Sequence, residues 1–460
     1  MSLCGVQKAD ARTVTSAFHG LIRDDARTRH EFLATAGLPI GSPFRKDTYM
    51  ASSDTFVIVG AGLAGAKAAE TLRTEAFDGR VVLIGAEPER PYERPPLSKD
   101  YLRGETPRDK AYVHDEAFYE AHNIELLTST AVSRIDPAAS EVVLASDQKL
   151  RFDRLLLTTG AASRRLPVPG ADLDGVYYLR DLRDADALRE RLAAGGTAVV
   201  VGAGWIGTEV AASARQTGVD VTVVAPAAVP LQRVLGPQVG TIYRDLHVDH
   251  GVTFALGTGI VALEGRNRVE AVRTSDGRVI DCDLVIAGVG AMPNTALAEQ
   301  ADLAVDNGIL VDDLLRSSVP TIFAAGDVAN AYHPLYGRHV RVEHWANALN
   351  QGPAAARSML GIGEPYDRVP YFYSDQYDLG MEHSGLGHAT DQVVFRGDPA
   401  GREFIAFWLH DEAVAAAMNA NVWDVTGALQ ALIRSGARVD PTRLTDPTVA
   451  LADLAAVVAS

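Results

Sequence analysis

Two glycine-rich stretches, Gly60–Gly65 (GAGLAG) and Gly202–Gly207 (GAGWIG), are the most informative features of this chain. Each follows a short apolar run and precedes an alanine-rich stretch with helical periodicity, which leads to a second apolar run. In a strand, turn and helix of this kind, the first glycine makes the tight turn and the second lets a pyrophosphate approach the backbone. The third glycine packs against the strand. Because both glycine stretches lie between a predicted strand and a predicted helix that leads to a second strand, they predict two dinucleotide-binding units.

Two further apolar runs, Leu155–Gly160 and Leu284–Gly290, bracket the second unit and predict that it is inserted in the first. We therefore predict an α/β protein with two Rossmann-like dinucleotide-binding domains and a C-terminal α+β domain. The predicted boundaries are residues 50–161 and 287–361 for the discontinuous first domain, 162–286 for the inserted domain and 362–460 for the C-terminal domain. Residues 1–49 lack sustained periodicity, and we expect them to be a disordered extension or a mispredicted start.

The composition disfavours several classes of function. The chain has 460 residues with a formal net charge of −16, which argues against nucleic acid and anionic membranes as partners. Its apolar runs are shorter than the roughly 18 residues of a membrane span. The two cysteines, Cys4 and Cys282, exclude a disulfide framework and a multi-cysteine zinc site. The histidines show no metal-ligand spacing. We expect no metal site and a cytoplasmic, reducing location.

Acidic residues after the strands are candidates for binding ribose or polyol hydroxyls. Glu87 follows the second strand of the first unit, where a carboxylate can accept ribose hydroxyls; the alternative is a solvated loop acid. In the second unit the expected acid is replaced by Ala225, so the sequence at this place does not decide between NADH and NADPH. Asp327 ends a strand and is a candidate for binding a polyol chain, or alternatively for capping a helix.

Further motifs carry a resemblance to a known family: Pro91–Lys99 (PYERPPLSK), Gly326-Asp327, Glu343-His344-Trp345 and Ser374–Tyr377 (SDQY). With the two glycine stretches, the sequence from about residue 53 to 454 resembles the FAD-dependent NAD(P)H:ferredoxin, rubredoxin and putidaredoxin reductases. These have a glutathione-reductase-like fold and no redox disulfide. The resemblance implies FAD in the first domain, NADH or NADPH in the inserted domain, and a C-terminal domain beside the flavin.

The resemblance also implies site residues. Lys99 and Glu209 match a catalytic pair beside the flavin, where an ammonium would stabilise developing negative charge; the alternative is a structural salt bridge between domains. The residues that would bind FAD are Gly60, Ala61, Gly62, Leu63, Ala64, Gly65, Glu87, Arg94, Lys99, Thr159, Gly160, Gly326, Asp327, Glu343, His344 and Trp345. Those that would bind NAD(P) are Gly202, Gly204, Trp205, Ile206, Gly207, Glu209 and Gly290. Phe372 and Tyr373 match positions around the isoalloxazine ring.

The cysteine count decides the expected reaction class. Disulfide reductases of this fold need two thiols beside the flavin, and the PPLSK stretch offers none, so electrons are expected to leave the flavin directly. We expect NAD(P)H, with a lean to NADH, to reduce FAD. A ferredoxin-like iron–sulfur protein or rubredoxin then accepts electrons and serves an oxygenase or cytochrome P450. Arg338 and Arg341 are candidates for a basic docking patch. The alternatives are a redox-sensing flavoprotein like apoptosis-inducing factor, or a reductase of small quinones or radicals.

Overall fold

The computed structural model describes residues 53–455. The extension predicted at residues 1–49 lies outside the described residues. In the range from 53 to 455, no helix is long and apolar enough to cross a membrane.

The first glycine stretch belongs to a five-stranded parallel sheet, the first sheet. In spatial order its strands are Ile322–Ala324, Arg154–Leu157, Thr55–Val59, Arg80–Ile84 and Ile124–Leu127. The inner strands of this sheet are mostly apolar and buried, as is usual for parallel strands that other elements cover on both faces, whereas the edge strand Ile124–Leu127 carries the exposed Glu125. The helix Leu63–Thr74 packs on the helix Trp345–Met359 so closely that a Cβ added to Gly352 would lie 2.3 Å from Ala64 O.

A second five-stranded parallel sheet is built from residues that lie between two neighbouring strands of the first sheet. In spatial order its strands are Thr253–Leu256, Asp220–Ala225, Thr197–Val201, Leu284–Ala287 and Val176–Tyr178. An antiparallel pair, Ala161–Ser163 with Ala291–Pro293, lies where the chain leaves the first sheet and returns to it. The predicted fold class is confirmed, and the exact domain boundaries stay predictions.

The C-terminal part is an antiparallel five-stranded sheet, the C-terminal sheet. In spatial order its strands are Tyr371–Gln376, Leu379–Gly385, Ala413–Ala420, Glu403–His410 and Gln392–Asp398. The long helix Gln232–Asp249 packs on this sheet through a cluster that includes Tyr243 and the fully buried Trp408. That helix is interrupted at Gly236, which has a φ of +78° and precedes a proline. The packing brings the second dinucleotide unit against the C-terminal sheet.

Smaller elements complete the described part of the chain. Three small sheets are formed by Val132–Asp136, Glu141–Leu144 and Lys149–Arg151, by Ile260–Glu264, Ala271–Thr274 and Val279–Asp281, and by Ile309–Val311, Ala329–His333 and Arg338–Arg341. The other α-helices are Asp100–Arg103, Ala117–Ala121, Leu182–Ala193, Trp205–Gln216, Ala296–Gln300, Thr426–Ser435, Pro441–Thr445 and Leu451–Ala455. Short 3₁₀ turns cover Pro95–Ser98, Arg108–Ala111 and Gly326–Val328.

Candidate functional site

A cavity of about 970 Å³ lies where turns that follow strands of both parallel sheets meet the C-terminal sheet. Its wall contains most of the residues that the sequence singles out. They are Gly60, Ala61, Gly62, Leu63, Ala64, Glu87, Arg94, Lys99, Thr159, Gly160, Gly204, Trp205, Ile206, Glu209, Gly290, Gly326, Asp327, Glu343, His344 and Trp345. Phe372 and Tyr373 of the C-terminal sheet line the same cavity.

The second glycine of each stretch faces open space. Among the described residues, a Cβ added to Gly62 or Gly204 would meet no atom within 4 Å. Each of these glycines precedes the first residue of a helix, and the free N–H groups of a helix N-terminus stabilise negative charge. The two turns therefore fit pyrophosphate groups, as the sequence predicts.

At the remaining glycines of the two stretches, the backbone passes too close to other backbone atoms for a side chain to fit. Gly60 has a φ of +118°, and a Cβ there would lie 2.1 Å from Thr158 O. Gly65, Gly202 and Gly207, which the resemblance assigns to cofactor binding, lie behind the cavity wall. A Cβ on Gly65 would lie 2.2 Å from Gly60 O, and one on Gly207 would lie 2.1 Å from Gly202 O. These three glycines act by allowing the turn and the helix to pack closely.

Glu87 is held in the cavity wall by two neighbours. Tyr92 Oη donates a hydrogen bond to Glu87 Oε2, and Arg94 Nη2 lies 3.1 Å from Glu87 Oε1. Burial raises the pKa of the Tyr92 phenol well above its usual value, so this phenol stays a donor. These contacts orient the carboxylate, whereas a solvated loop acid would have none of them.

Asp327 lies inside the short turn Gly326–Val328, whose N-cap is Ala325. The helix-capping alternative is therefore wrong. The Asp327 carboxylate pairs instead with Arg180, at 2.8 Å between Oδ2 and Nη2. Arg180 also lines the cavity, and its buried Nε has no hydrogen-bond partner among the described residues. Sequence analysis missed Arg180 because a single arginine after the strand Val176–Tyr178 belongs to none of the recognised motifs.

Lys99 and Glu209 form the predicted pair. Lys99 Nζ lies 2.7 Å from Glu209 Oε1, and the Glu209 side chain is only 5% exposed. Two hydroxyls also donate to this carboxylate, Ser98 Oγ at 2.5 Å to Oε2 and Ser374 Oγ at 2.7 Å to Oε1. Lys99 Nζ lies 5.7 Å from the centroid of the Tyr373 ring. Both serines belong to recognised motifs, PPLSK and SDQY, but nothing in the sequence assigns them a role.

The N-terminus of the helix Trp345–Met359 lies at the cavity. His344 is its N-cap, and burial lowers the pKa of His344 to about 4, so the imidazole is neutral at pH 7. His344 Nδ1 and Trp345 Nε1 are buried and have no partner among residues 53–455. A neutral imidazole and an indole suit a planar ring whose edge carries carbonyl and N–H groups, so these two residues fit an isoalloxazine ring in this part of the cavity.

Two positions of the second unit are candidates for the missing ribose acid. Ala225 is 3% exposed and packs in the apolar cluster of the second sheet. Strand pairing aligns Val82 with Val57, three residues before Gly60, and Thr222 with Val199, three residues before Gly202. Glu87, five residues after Val82, therefore corresponds to Ala227, five residues after Thr222. A carboxylate is missing at both positions.

The predicted docking arginines differ in environment. Arg338 is exposed, whereas the Arg341 side chain is 12% exposed and pairs with Glu343. Arg341 Nη1 also donates to Asp327 O at 3.1 Å. Arg341 therefore supports the cavity wall and is not free to dock a partner.

Cys282 lies in an apolar cluster of the second sheet, away from the cavity wall. Burial raises the pKa of its thiol to about 12. Among the described residues, no group of three or more His, Cys, Asp or Glu side chains could hold a metal ion. The site offers hydrogen-bonding and charged groups for a nucleotide, without a reactive thiol in the described wall.

Comparisons with known proteins identify the family. Residues 54–352 match the family described as pyridine nucleotide-disulphide oxidoreductase, and residues 371–455 match a reductase C-terminal domain. The ferredoxin–NAD(+) reductase component of the anthranilate 1,2-dioxygenase system of Burkholderia cepacia is 43% identical, over 87% of this chain and 99% of that protein. Putidaredoxin reductase CamA of Pseudomonas putida is 37% identical, over 88% of this chain and 98% of that protein.

Solved structures of related proteins have a similar fold. The covalent putidaredoxin reductase–putidaredoxin complex contains a chain with a TM-score of 0.85 and 37% identity, covering 88% of this chain and 99% of that chain. The ferredoxin reductase of the CYP199A2 system from Rhodopseudomonas palustris also has a TM-score of 0.85, with 36% identity and coverage of 88% and 100%. On these matches, the chain belongs to the pyridine nucleotide-disulphide oxidoreductase family.

Proposed function

We propose that this chain is an FAD-dependent ferredoxin–NAD(P)+ reductase that serves an oxygenase or a cytochrome P450. The observation that carries the proposal is the buried pair of Lys99 and Glu209, which lies in the wall of one cavity shared by both glycine turns. The names of the relatives point to the same activity. We place FAD against the first sheet and NADH, or less preferred NADPH, against the second.

Bound FAD would supply the conversion of a two-electron hydride donor into single-electron transfers. The Gly62 turn and Glu87 would bind its pyrophosphate and ribose, and the paired Asp327 and Arg180 would form hydrogen bonds with the hydroxyls of the polyol chain. The N-terminus of the helix Trp345–Met359 would stabilise negative charge on the ring. The lining of the cavity, which contains all of these residues, supports these roles.

Lys99 would hold a positive charge where the ring becomes negative. Glu209 keeps the ammonium in place, and the hydroxyls of Ser98 and Ser374 fix the carboxylate. Preorganised charge in a water-poor site lowers the barrier to hydride arrival because no solvent has to reorganise. The Gly204 turn, Trp205 and Gly290 would position the nicotinamide dinucleotide on the opposite side of the cavity.

The acceptor we propose is a one-electron carrier, an iron–sulfur ferredoxin or a rubredoxin. The Cys282 thiol is buried outside the cavity wall. The described residues therefore give no support for electron transfer from the flavin through a pair of cysteine thiols. An acidic carrier would dock near the flavin edge, with the exposed Arg338 as the first candidate contact. We further propose a cytoplasmic location, because a chain with only two cysteines suits a reducing compartment.

The test is stopped-flow reoxidation of the NADH-reduced holoprotein against a panel of ferredoxins, rubredoxins and small quinones. We expect one or more ferredoxins to reoxidise the flavin at rates that fall with ionic strength. Faster turnover with a quinone than with every protein carrier would favour the quinone-reductase alternative. Slow reoxidation by all acceptors, with a long-lived reduced flavin–NAD complex, would favour a redox sensor.

A further inference from the structure

A chain of buried hydrogen bonds leads away from Glu209 into the protein. Ser374 Oγ donates to Glu209 Oε1 at 2.7 Å, and Gln376 Nε2 donates to Ser374 Oγ at 3.1 Å. His247 Nε2 lies 2.8 Å from Gln376 Oε1. Ser374, Gln376 and His247 are each at most 1% exposed. The chain joins the helix Gln232–Asp249 and the C-terminal sheet to the Lys99–Glu209 pair.

The direction of this chain is fixed by its chemistry. A carboxylate can only accept, so the single hydroxyl hydrogen of Ser374 is directed at Glu209. Ser374 must then accept from the amide N–H of Gln376, which leaves the Gln376 carbonyl facing His247. His247 therefore has to donate from Nε2. Burial lowers the pKa of His247 to about 4, which keeps the imidazole neutral at pH 7.

The chain ends at His247. Its Nδ1 is buried and has no hydrogen-bond partner in the described part of the protein. Aromatic rings pack around the imidazole, Tyr377 at 5.3 Å and Phe254 at 6.0 Å between ring centroids. The nearby Tyr243 stays a neutral phenol, because burial and the Glu209 charge raise its pKa well above the usual value. A chain without an exit cannot conduct protons to solvent, so its effect is on orientation.

We infer that His247 and Gln376 are positioning residues that orient the Glu209 carboxylate toward Lys99 and thereby hold the ammonium at the flavin. The inference rests on the proposed function. Every donor in the chain is directed toward Glu209, and the elements that supply them lie outside both glycine turns. Loss of the His247 donor would let Gln376 rotate, and Ser374 would lose the partner that directs its hydroxyl.

The experiment uses the full-length holoprotein and four variants. His247→Leu removes the donor, and His247→Gln keeps an N–H that can reach Gln376. Gln376→Met keeps the volume but breaks the middle link, so the test stands even if His247→Leu fails to fold. His333→Leu is the matched control, because His333 is another buried histidine whose Nε2 bonds to Arg368 O, outside this chain. The limiting rate of flavin reduction, the Kd for NADH and the flavin midpoint potential are measured.

We expect His247→Leu and Gln376→Met to lower the limiting rate roughly tenfold, the size of one lost hydrogen bond near a charge. The midpoint potential falls, the Kd for NADH stays within about twofold, and His247→Gln and His333→Leu behave like the wild type. An equal loss of reduction rate in His247→Leu and His247→Gln would overturn this inference, and so would unchanged rates and midpoint potentials. Either result would leave the proposed function in place. Wild-type protein that takes up no flavin would overturn the proposed function as well.

Discussion

Lys99 Nζ lies 2.7 Å from Glu209 Oε1, although the two residues come from separate glycine-motif units. Lys99 follows the turn Pro95–Ser98, and Glu209 lies on the helix Trp205–Gln216. Burying an ion pair gives little net stability, because desolvation offsets most of the attraction. A buried pair in a cavity wall is better explained by what the charge does there.

Replacing Lys99 with alanine tests this explanation. We expect Lys99→Ala to bind FAD and to reduce it about a hundredfold more slowly at saturating NADH, because a preorganised charge is lost. Single-turnover stopped flow measures the rate. The control is Lys67→Ala, which breaks an ion pair between Lys67 and Glu70 outside the cavity wall. An unchanged rate in Lys99→Ala would mean that the pair only holds two units together.

The sequence predicted the parts of this site that have a local signature. The glycine turns follow from their spacing, and Lys99 and Glu209 were assigned by resemblance. Arg180 and His247 belong to no motif, and Ser374 and Gln376 were noted only as members of the SDQY motif. Their roles could not be predicted, because they arise only when distant elements pack together. Which residue of the second unit faces the ribose stays a prediction, because a strand end is uncertain by one or two residues in sequence. The pairing of Thr222 with Val199 favours Ala227.

Acid should destabilise the protein through its buried histidines. Burial lowers the pKa of His247 to about 4 and that of His383 to about 3, from an ordinary 6.5. Below about pH 6.5 the unfolded chain binds these protons and the folded protein does not. The free energy of unfolding therefore falls as the pH falls from about 6.5 toward 4. Each of the two histidines contributes up to about 1.4 kcal/mol for each pH unit.

Urea unfolding of the wild type and of His383→Gln between about pH 7 and pH 5 measures this dependence. We expect the variant to lose less stability on acidification than the wild type. Substitution of the exposed His339 is the control and should leave the slope unchanged. Equal slopes in the wild type and His383→Gln would show that His383 takes up its proton without unfolding.

Catalysis should not depend on a thiol. We expect Cys282→Ser to keep near-normal flavin reduction, because Cys282 lies in an apolar cluster outside the cavity wall. Its hydroxyl would be buried there, so a loss of about 1–2 kcal/mol in unfolding free energy is expected. Stopped-flow reduction and thermal unfolding are compared with those of Cys282→Ala. A loss of reduction in both variants, with folding intact, would require a role for the sulfur.

The preference between NADH and NADPH should be weak. Neither Ala225 nor Ala227 can attract ribose hydroxyls or repel a 2′-phosphate, so both sources of discrimination are missing. We expect the ratio of kcat/KM for NADH to that for NADPH to stay below about a hundredfold, or about 2.8 kcal/mol. Ala227→Glu should raise the ratio about tenfold, chiefly through a higher KM for NADPH, because Ala227 is half-buried at the register position of Glu87. Ala225→Glu is the control and should mainly lower the Tm, since it buries a carboxylate in the apolar cluster. A wild-type ratio above about a thousand would mean that another residue, such as the exposed Arg233, binds the ribose or its phosphate.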